Sequence, residues 1–294
     1  MKKTLIAIAC LLLLFTKAHA DQVVLGVLEE PQKRNLEDLS VRILFGKQGR
    51  DWIALDHPDV SYKFNIHSIE WTVAFDGRNL GSIKSIDPDP NKEFVNDWYY
   101  KRDKLFLIDP GSKVPRLKNK SKSFSGWVEA PSYRPLILVS KPYFTDPEKW
   151  KPFKPDNSFK NKLYVPLKLV IGRFNAVKCV DDQLEPYHFK PEELILYKGY
   201  KNKTGRELIS IGLDRKRIDC DYYVTAPEWK PQWFLLDGNN IEYIGRAMTL
   251  VDAGDYDNDG RSELVFWHSG YNRDGYVLIY NNFEKKVEYI WGYH

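Results

Sequence analysis

"MTLVDAGDYDNDGRSELVFW" runs from Met248 to Trp267. It begins apolar, crosses five acids (Asp252, Asp255, Asp257, Asp259 and Glu263) set around Gly260, and turns apolar again at Leu264. Two strand-like flanks joined by an acidic turn point to a hairpin. The acids admit three readings: a cation site, a catalytic carboxylate pair, or a polar turn.

Numbered from Asp255, carboxylates fall at positions one, three, five and nine, with glycine at six. Side chains at alternate positions can wrap one ion. Calcium takes six to eight oxygen ligands, more than magnesium draws from protein. Position six must turn sharply, which suits Gly260. Position seven then offers its backbone carbonyl, so Arg261 joins Asp255, Asp257, Asp259 and Glu263 as an expected ligand. Like charges about 4 Å apart cost roughly 1–4 kcal/mol per pair at surface dielectrics. A bare turn is therefore disfavoured, and Ca2+ is the expected ion. A catalytic role needs carboxylates with separated pKa values, which ligands sharing one ion do not hold.

An EF-hand requires a carboxylate at position twelve, where this chain has Phe266. The loop instead resembles the calcium loop of the FG-GAP or VCBS repeat, the blade unit of integrin-α-like β-propellers. The matching residues are Gly254-Asp255, Asp257, Asp259-Gly260, Glu263 and Leu264-Val265. That family more often closes the loop with Asp, where Glu263 is longer. The resemblance spans Met248 to Tyr280, about one blade. It implies a β-propeller or propeller-like domain with calcium holding a hairpin loop, and it implies no specific activity.

Outward from this stretch, strand signals dominate. Ile69, Trp71, Val73 and Phe75 alternate onto one face, and "DGRN" (Asp76 to Asn79) follows as a turn. "QWFLLDGNNIEYIG" (Gln232 to Gly245) is a second Asp-Gly hairpin. Gln22–Glu30, Leu39–Gly46, Asp97–Asp109, Tyr133–Ser140, Leu163–Val180, Glu193–Tyr200, Glu207–Leu213 and Asp221–Ala226 also read as strands. One short helix is expected at Lys33–Leu39. "KPYFTDPEKWKPFKP" (Lys141 to Pro155) carries four prolines, which exclude a regular helix or a central strand. It reads as an extended aromatic loop, and a subdomain break falls near 141–160. The expected class is all-β: a propeller or propeller-like domain of short antiparallel strands over residues 21–294, with two packed sandwich-like subdomains as the alternative.

The start of the chain, "MKKTLIAIACLLLLFTKAHA", combines two lysines, an apolar run and a small-x-small site, the pattern of a signal peptide over residues 1–20. Export to the periplasm or beyond is expected. No later segment is apolar enough to span a membrane. The first 20 residues hold three of the 44 basic residues and no acids, leaving 41 basic against 40 acidic. Such a balance disfavours nucleic acid as a partner, and the lysine-rich run Arg116–Gly126 reads as a solvated loop. Cys179 and Cys220 remain, and an oxidising compartment favours a disulfide between them.

No nucleophile elbow, zinc helix or phosphate-binding glycine loop appears. His57, His67, His188, His268 and His294 are widely spaced. His268, Tyr271 and Asp274 are placed to line a site near the ion, but "NRDG" (Asn272 to Gly275) is turn chemistry in its own right. Trp, Tyr and Phe in "NDWYYKRD", "PYFTDPEKW" and "PEWKPQWF" suit either a core or a carbohydrate- or peptide-binding platform. The expectation is an exported calcium-binding protein that acts as a binding or interaction module for a protein or carbohydrate ligand. The alternative is a secreted or periplasmic hydrolase of glycans or other polymers.

Overall fold

The computed structural model describes residues 22–29, 39–56, 58–61, 63–87, 105–115, 134–172, 177–180, 183–186, 188–214 and 230–292. The expected signal peptide, the helix expected at Lys33–Leu39 up to residue 38, the strand expected at Asp97–Asp109 up to residue 104, the strand expected at Asp221–Ala226, the basic run and Cys220 lie outside them, and with Cys220 the expected disulfide. The described chain is mostly antiparallel β-structure, in the class the sequence implies.

The N-terminal strands close into a ring. β1 (Val24–Glu29) pairs with β2 (Ser40–Gln48) on one side and β7 (Leu136–Val139) on the other. β7 continues to β4 (Glu70–Phe75), β4 to β5 (Arg78–Ile86), β5 to β6 (Leu105–Ile108), and β6 returns to β2. β3 (Asp51–Ala54) is a hairpin arm on β2. Closure removes sheet edges. The interior takes alternate residues: Val24 and Leu28, Val41 and Ile43, Trp71 and Val73, Leu136 and Leu138. The Asp-Gly hairpin at Asp76 forms as expected, and Ile69, Trp71 and Val73 share the inner face. Trp71 Nε1 donates to Ser85 Oγ at 2.9 Å, satisfying a buried donor.

Two further sheets stack on this barrel. β15 (Met248–Gly254), β16 (Glu263–Gly270), β17 (Arg273–Tyr280) and β18 (Lys285–Gly292) form an antiparallel meander. Its Val265, Trp267, Tyr276 and Leu278 pack against Leu25, Val27, Ile137 and Val139 on the barrel's outer face. Its other face, with Leu264, Phe266, Val277 and Ile279, meets Leu208, Trp233 and Leu235. Those belong to a five-stranded sheet of β8 (Lys151–Phe153), β11 (Leu194–Lys201), β12 (Glu207–Leu213), β13 (Gln232–Asp237) and β14 (Asn240–Arg246). Burial on both faces explains why "LVFW" and "WFLL" read as continuous apolar runs rather than alternating ones. β9 (Val177–Val180) and β10 (Gln183–Pro186) form a separate hairpin.

The far face of the five-stranded sheet corrects one expectation. The strand expected over Leu163–Val180 forms only at its end, in β9, and residues 163–172 are helical. Besides the one-turn α1 (Pro58–Ser61), a helix, α2, runs from Ser158 to Gly172, with Pro166 inside it. Leu163, Leu167, Val170 and Ile171 recur at helical spacing and cover Ile209, Ile211, Phe234 and Leu236. Burying each is worth about 1.5–3 kcal/mol, enough to override Pro166 and the β-branched Val165, Val170 and Ile171, which favour other structure. Asp156 Oδ1 accepts the Ser158 N–H at 2.8 Å and stops the helix upstream.

Candidate metal centre

The acidic loop joins β15 to β16, after their last paired residues, Gly254 and Glu263. Asn258 and Gly260 have φ of 61° and 88°, so the chain turns back on itself there. Within the turn the carboxylates collect backbone N–H groups. Asp255 accepts Asp259 N–H at 3.0 Å and Gly260 N–H at 2.9 Å. Asp257 accepts Asp259 N–H at 3.1 Å. Glu263 Oε2 accepts Tyr256 N–H at 2.8 Å.

Asp255, Asp257 and Glu263 each bring a carboxylate oxygen within 4.8 Å of the others. Asp255 and Glu263 are buried, at 5% and 2% exposure. Burial pushes the Glu263 carboxyl well above its usual range, and the neighbouring Asp257 and Asp255 add to this against the Tyr256 N–H. Asp255 is raised chiefly by burial, with the Gly260 and Asp259 N–H groups opposing. Three converging carboxylates, two of them costly to ionise in place, are a hard-oxygen donor set that suits a divalent cation. Asp259 stands on the exposed rim, outside this trio, and its Oδ1 accepts Arg261 N–H at 2.9 Å. Arg261 is also exposed.

The barrel supplies one cation of its own. Lys47, at the end of β2, pairs its ammonium with Asp257. The same ammonium lies 5.3 Å from the Trp52 ring centre and 5.7 Å from that of Tyr280.

Sequence reasoning missed the clasp beneath the loop. Thr145 O accepts Asp255 N–H at 2.9 Å, and Asp146 Oδ1 accepts Ser262 Oγ at 2.6 Å. The Phe144 ring stacks on Tyr256 at 5.5 Å and fills the space a Cβ at Gly254 would need, 2.1 Å from its position. These residues belong to the proline-rich stretch, whose composition announces a loop but no partner. Phe144 and Trp150 there are core residues, as is Trp233, whereas Tyr143 is 74% exposed.

Beside the clasp, Asp252 is buried, and Arg134 bridges it to Asp76 at 2.9 and 2.8 Å. Burial raises Asp252 to about 7 despite Arg134.

His268, Tyr271 and Asp274 sit at the opposite end of β16 from the acidic loop, on the hairpin that turns at Tyr271 and Asn272. Asp274 lies inside β17, buried, and burial raises it to about 7. Burial lowers His268. His67 is exposed with Asp87 Oδ1 2.8 Å away, His188 is exposed, and His57 and His294 lie outside the described residues. Cys179 falls on β9.

Comparison of the chain with protein-family models, with curated proteins and with solved structures finds no match. The functional reading therefore rests on this geometry.

Proposed function

We propose that this is an exported calcium-binding protein, a binding or interaction module whose last hairpin loop is held by a structural calcium ion. The observation that carries the reading is the convergence of Asp255, Asp257 and Glu263 within 4.8 Å, two of them buried. Calcium there would keep Glu263 ionised and offset the mutual repulsion, with Asp259 and the Arg261 carbonyl completing the shell. Because Asp255 and Ser262 are tied to Thr145 and Asp146, an ordered loop also orders the 144–150 segment.

The β15–β18 meander has the strand number of one propeller blade, and it packs face to face on the β11–β14 meander as neighbouring blades do. We extend the FG-GAP/VCBS-type, propeller-like reading to these two sheets and not to the barrel. A cleft of about 630 Å³ lined by Phe153, Lys154, Tyr197 and Tyr200 offers the aromatic surface that a carbohydrate or peptide ligand would use.

Calorimetric titration of the mature protein tests the calcium site. Binding that disappears in Asp257→Ala is expected, and absence of binding at millimolar calcium sinks the reading.

The hydrolase alternative has one observation in its favour. A cleft of about 500 Å³ between β14 and β18 is lined by Glu242, Glu284, Glu288 and His268, away from the acidic loop. Burial, and then Glu284, raises the Glu242 carboxyl, the direction a general acid uses. Turnover of an oligosaccharide that is lost in Glu242→Gln would favour this reading over a binding module.

A further inference from the structure

Helix α2 is the outermost layer of the stack, and its outer face is unusual for such a position. Leu163, Leu167, Val170 and Ile171 face the five-stranded sheet. On a 3.6-residue turn, Val165 and Leu169 fall one turn apart on the opposite face. They are 61% and 67% exposed. A surface helix normally turns charged residues to that side. Here Lys162 flanks the apolar pair on one side and Lys168 on the other, both exposed, and the 15-residue helix contains no Asp or Glu. Lys162 Nζ donates to Gly238 O at 3.3 Å, and Lys168 Nζ lies 5.9 Å from the Tyr164 ring centre, so both stems run along the helix flanks.

The charge pattern selects the occupant. A second copy packed ridge on ridge would bring these lysines against their own counterparts. The ridge is convex and only two side chains wide, too small for the core of a stable protein interface. A plane of phosphate headgroups over an acyl boundary matches it: apolar side chains enter, and lysines extend to the anions.

We propose that the outer face of α2 is a peripheral docking surface for an anionic phospholipid leaflet, inserting Val165 and Leu169 while Lys162 and Lys168 contact the headgroup phosphates. This surface lies across the five-stranded sheet from the acidic loop and does not depend on calcium. No described helix is long and apolar enough to cross a membrane.

Vesicle flotation of the mature protein in the presence of a chelator tests the surface. The protein is expected to float with phosphatidylglycerol-containing vesicles and to stay behind with pure phosphatidylcholine. Val165→Ser with Leu169→Ser, and separately Lys162→Glu with Lys168→Glu, should each reduce partitioning about tenfold or more. Unchanged thermal melting would show that these exposed substitutions leave the fold intact. Failure of the unsubstituted protein to float would overturn the proposal. So would flotation of either double variant equal to that of the unsubstituted protein, or a dimer that Leu169→Ser dissolves.

Discussion

Ser262 Oγ donates to Asp146 Oδ1 at 2.6 Å, joining residues 116 positions apart in the chain. Asp146 also accepts Glu148 N–H at 3.1 Å and Trp150 N–H at 2.7 Å. One carboxylate thus shapes the 146–150 turn and pins the acidic loop to it. Asp146→Ala should cost about 2–3 kcal/mol, because it strands the hydroxyl of buried Ser262 and two N–H groups. Asp146→Asn keeps an acceptor and should cost less. Urea unfolding of both variants checks the order, and equal midpoints for Asp146→Ala and the unsubstituted protein would discard the clasp.

Calcium at about 100 times its Kd should stabilise the protein by about 2.7 kcal/mol, and a chelator should remove that gain. Glu263→Gln should abolish the difference. Lys47→Met should tighten calcium binding, since the ammonium on Asp257 no longer competes with the ion. Melting curves with and without calcium, together with titration of the Lys47 variant, provide the measurement.

Arg134 carries a different link between the barrel side and the last sheet. Its guanidinium holds Asp252 and Asp76, donates to Val251 O, and lies 4.2 Å from the Phe75 ring centre. Arg134→Met leaves Asp252 buried without its charge partner, at a cost of about 3–5 kcal/mol. Adding Asp252→Asn removes the stranded charge and should recover part of that loss. A double-mutant cycle reads the coupling directly.

Asp274 has a folded pKa near 7, against an ordinary value of 3.8. The folded state therefore binds this proton more tightly than the unfolded one. The stability it contributes is fully present below about pH 4 and is lost as pH rises through 7. Asp274→Asn keeps the shape without the charge. Its stability relative to the unsubstituted protein should rise between pH 4 and pH 8, on the order of 4 kcal/mol. Denaturant unfolding across that range tests the slope, and a flat difference would refute it.

The hairpins at Asp76 and Asp237 were legible because turn chemistry and alternation are local. The strands around the acidic loop were legible for the same reason. Leu163–Gly172 was not, since Val165, Val170 and Pro166 argue against a helix unless one knows that Leu163 and Leu167 meet Ile209 and Phe234. Three carboxylates of the acidic loop converge as the alternation implies, while Asp259 points to the rim. Asp146 and Lys47 were illegible, because neither shares a local pattern with the loop.

By itself, the sequence determined the all-β class, the positions of its tight turns and the acidic loop with glycine at its bend. These follow from side-chain period and backbone freedom over a few residues. Tertiary structure alone decided the closed barrel, the stacking of two sheets buried on both faces, the helix over the last of them and the clasp under the acidic loop. Each depends on pairing or burial between residues far apart in the chain. In those places the free energy of excluding water from both partners outweighs what either segment favours alone.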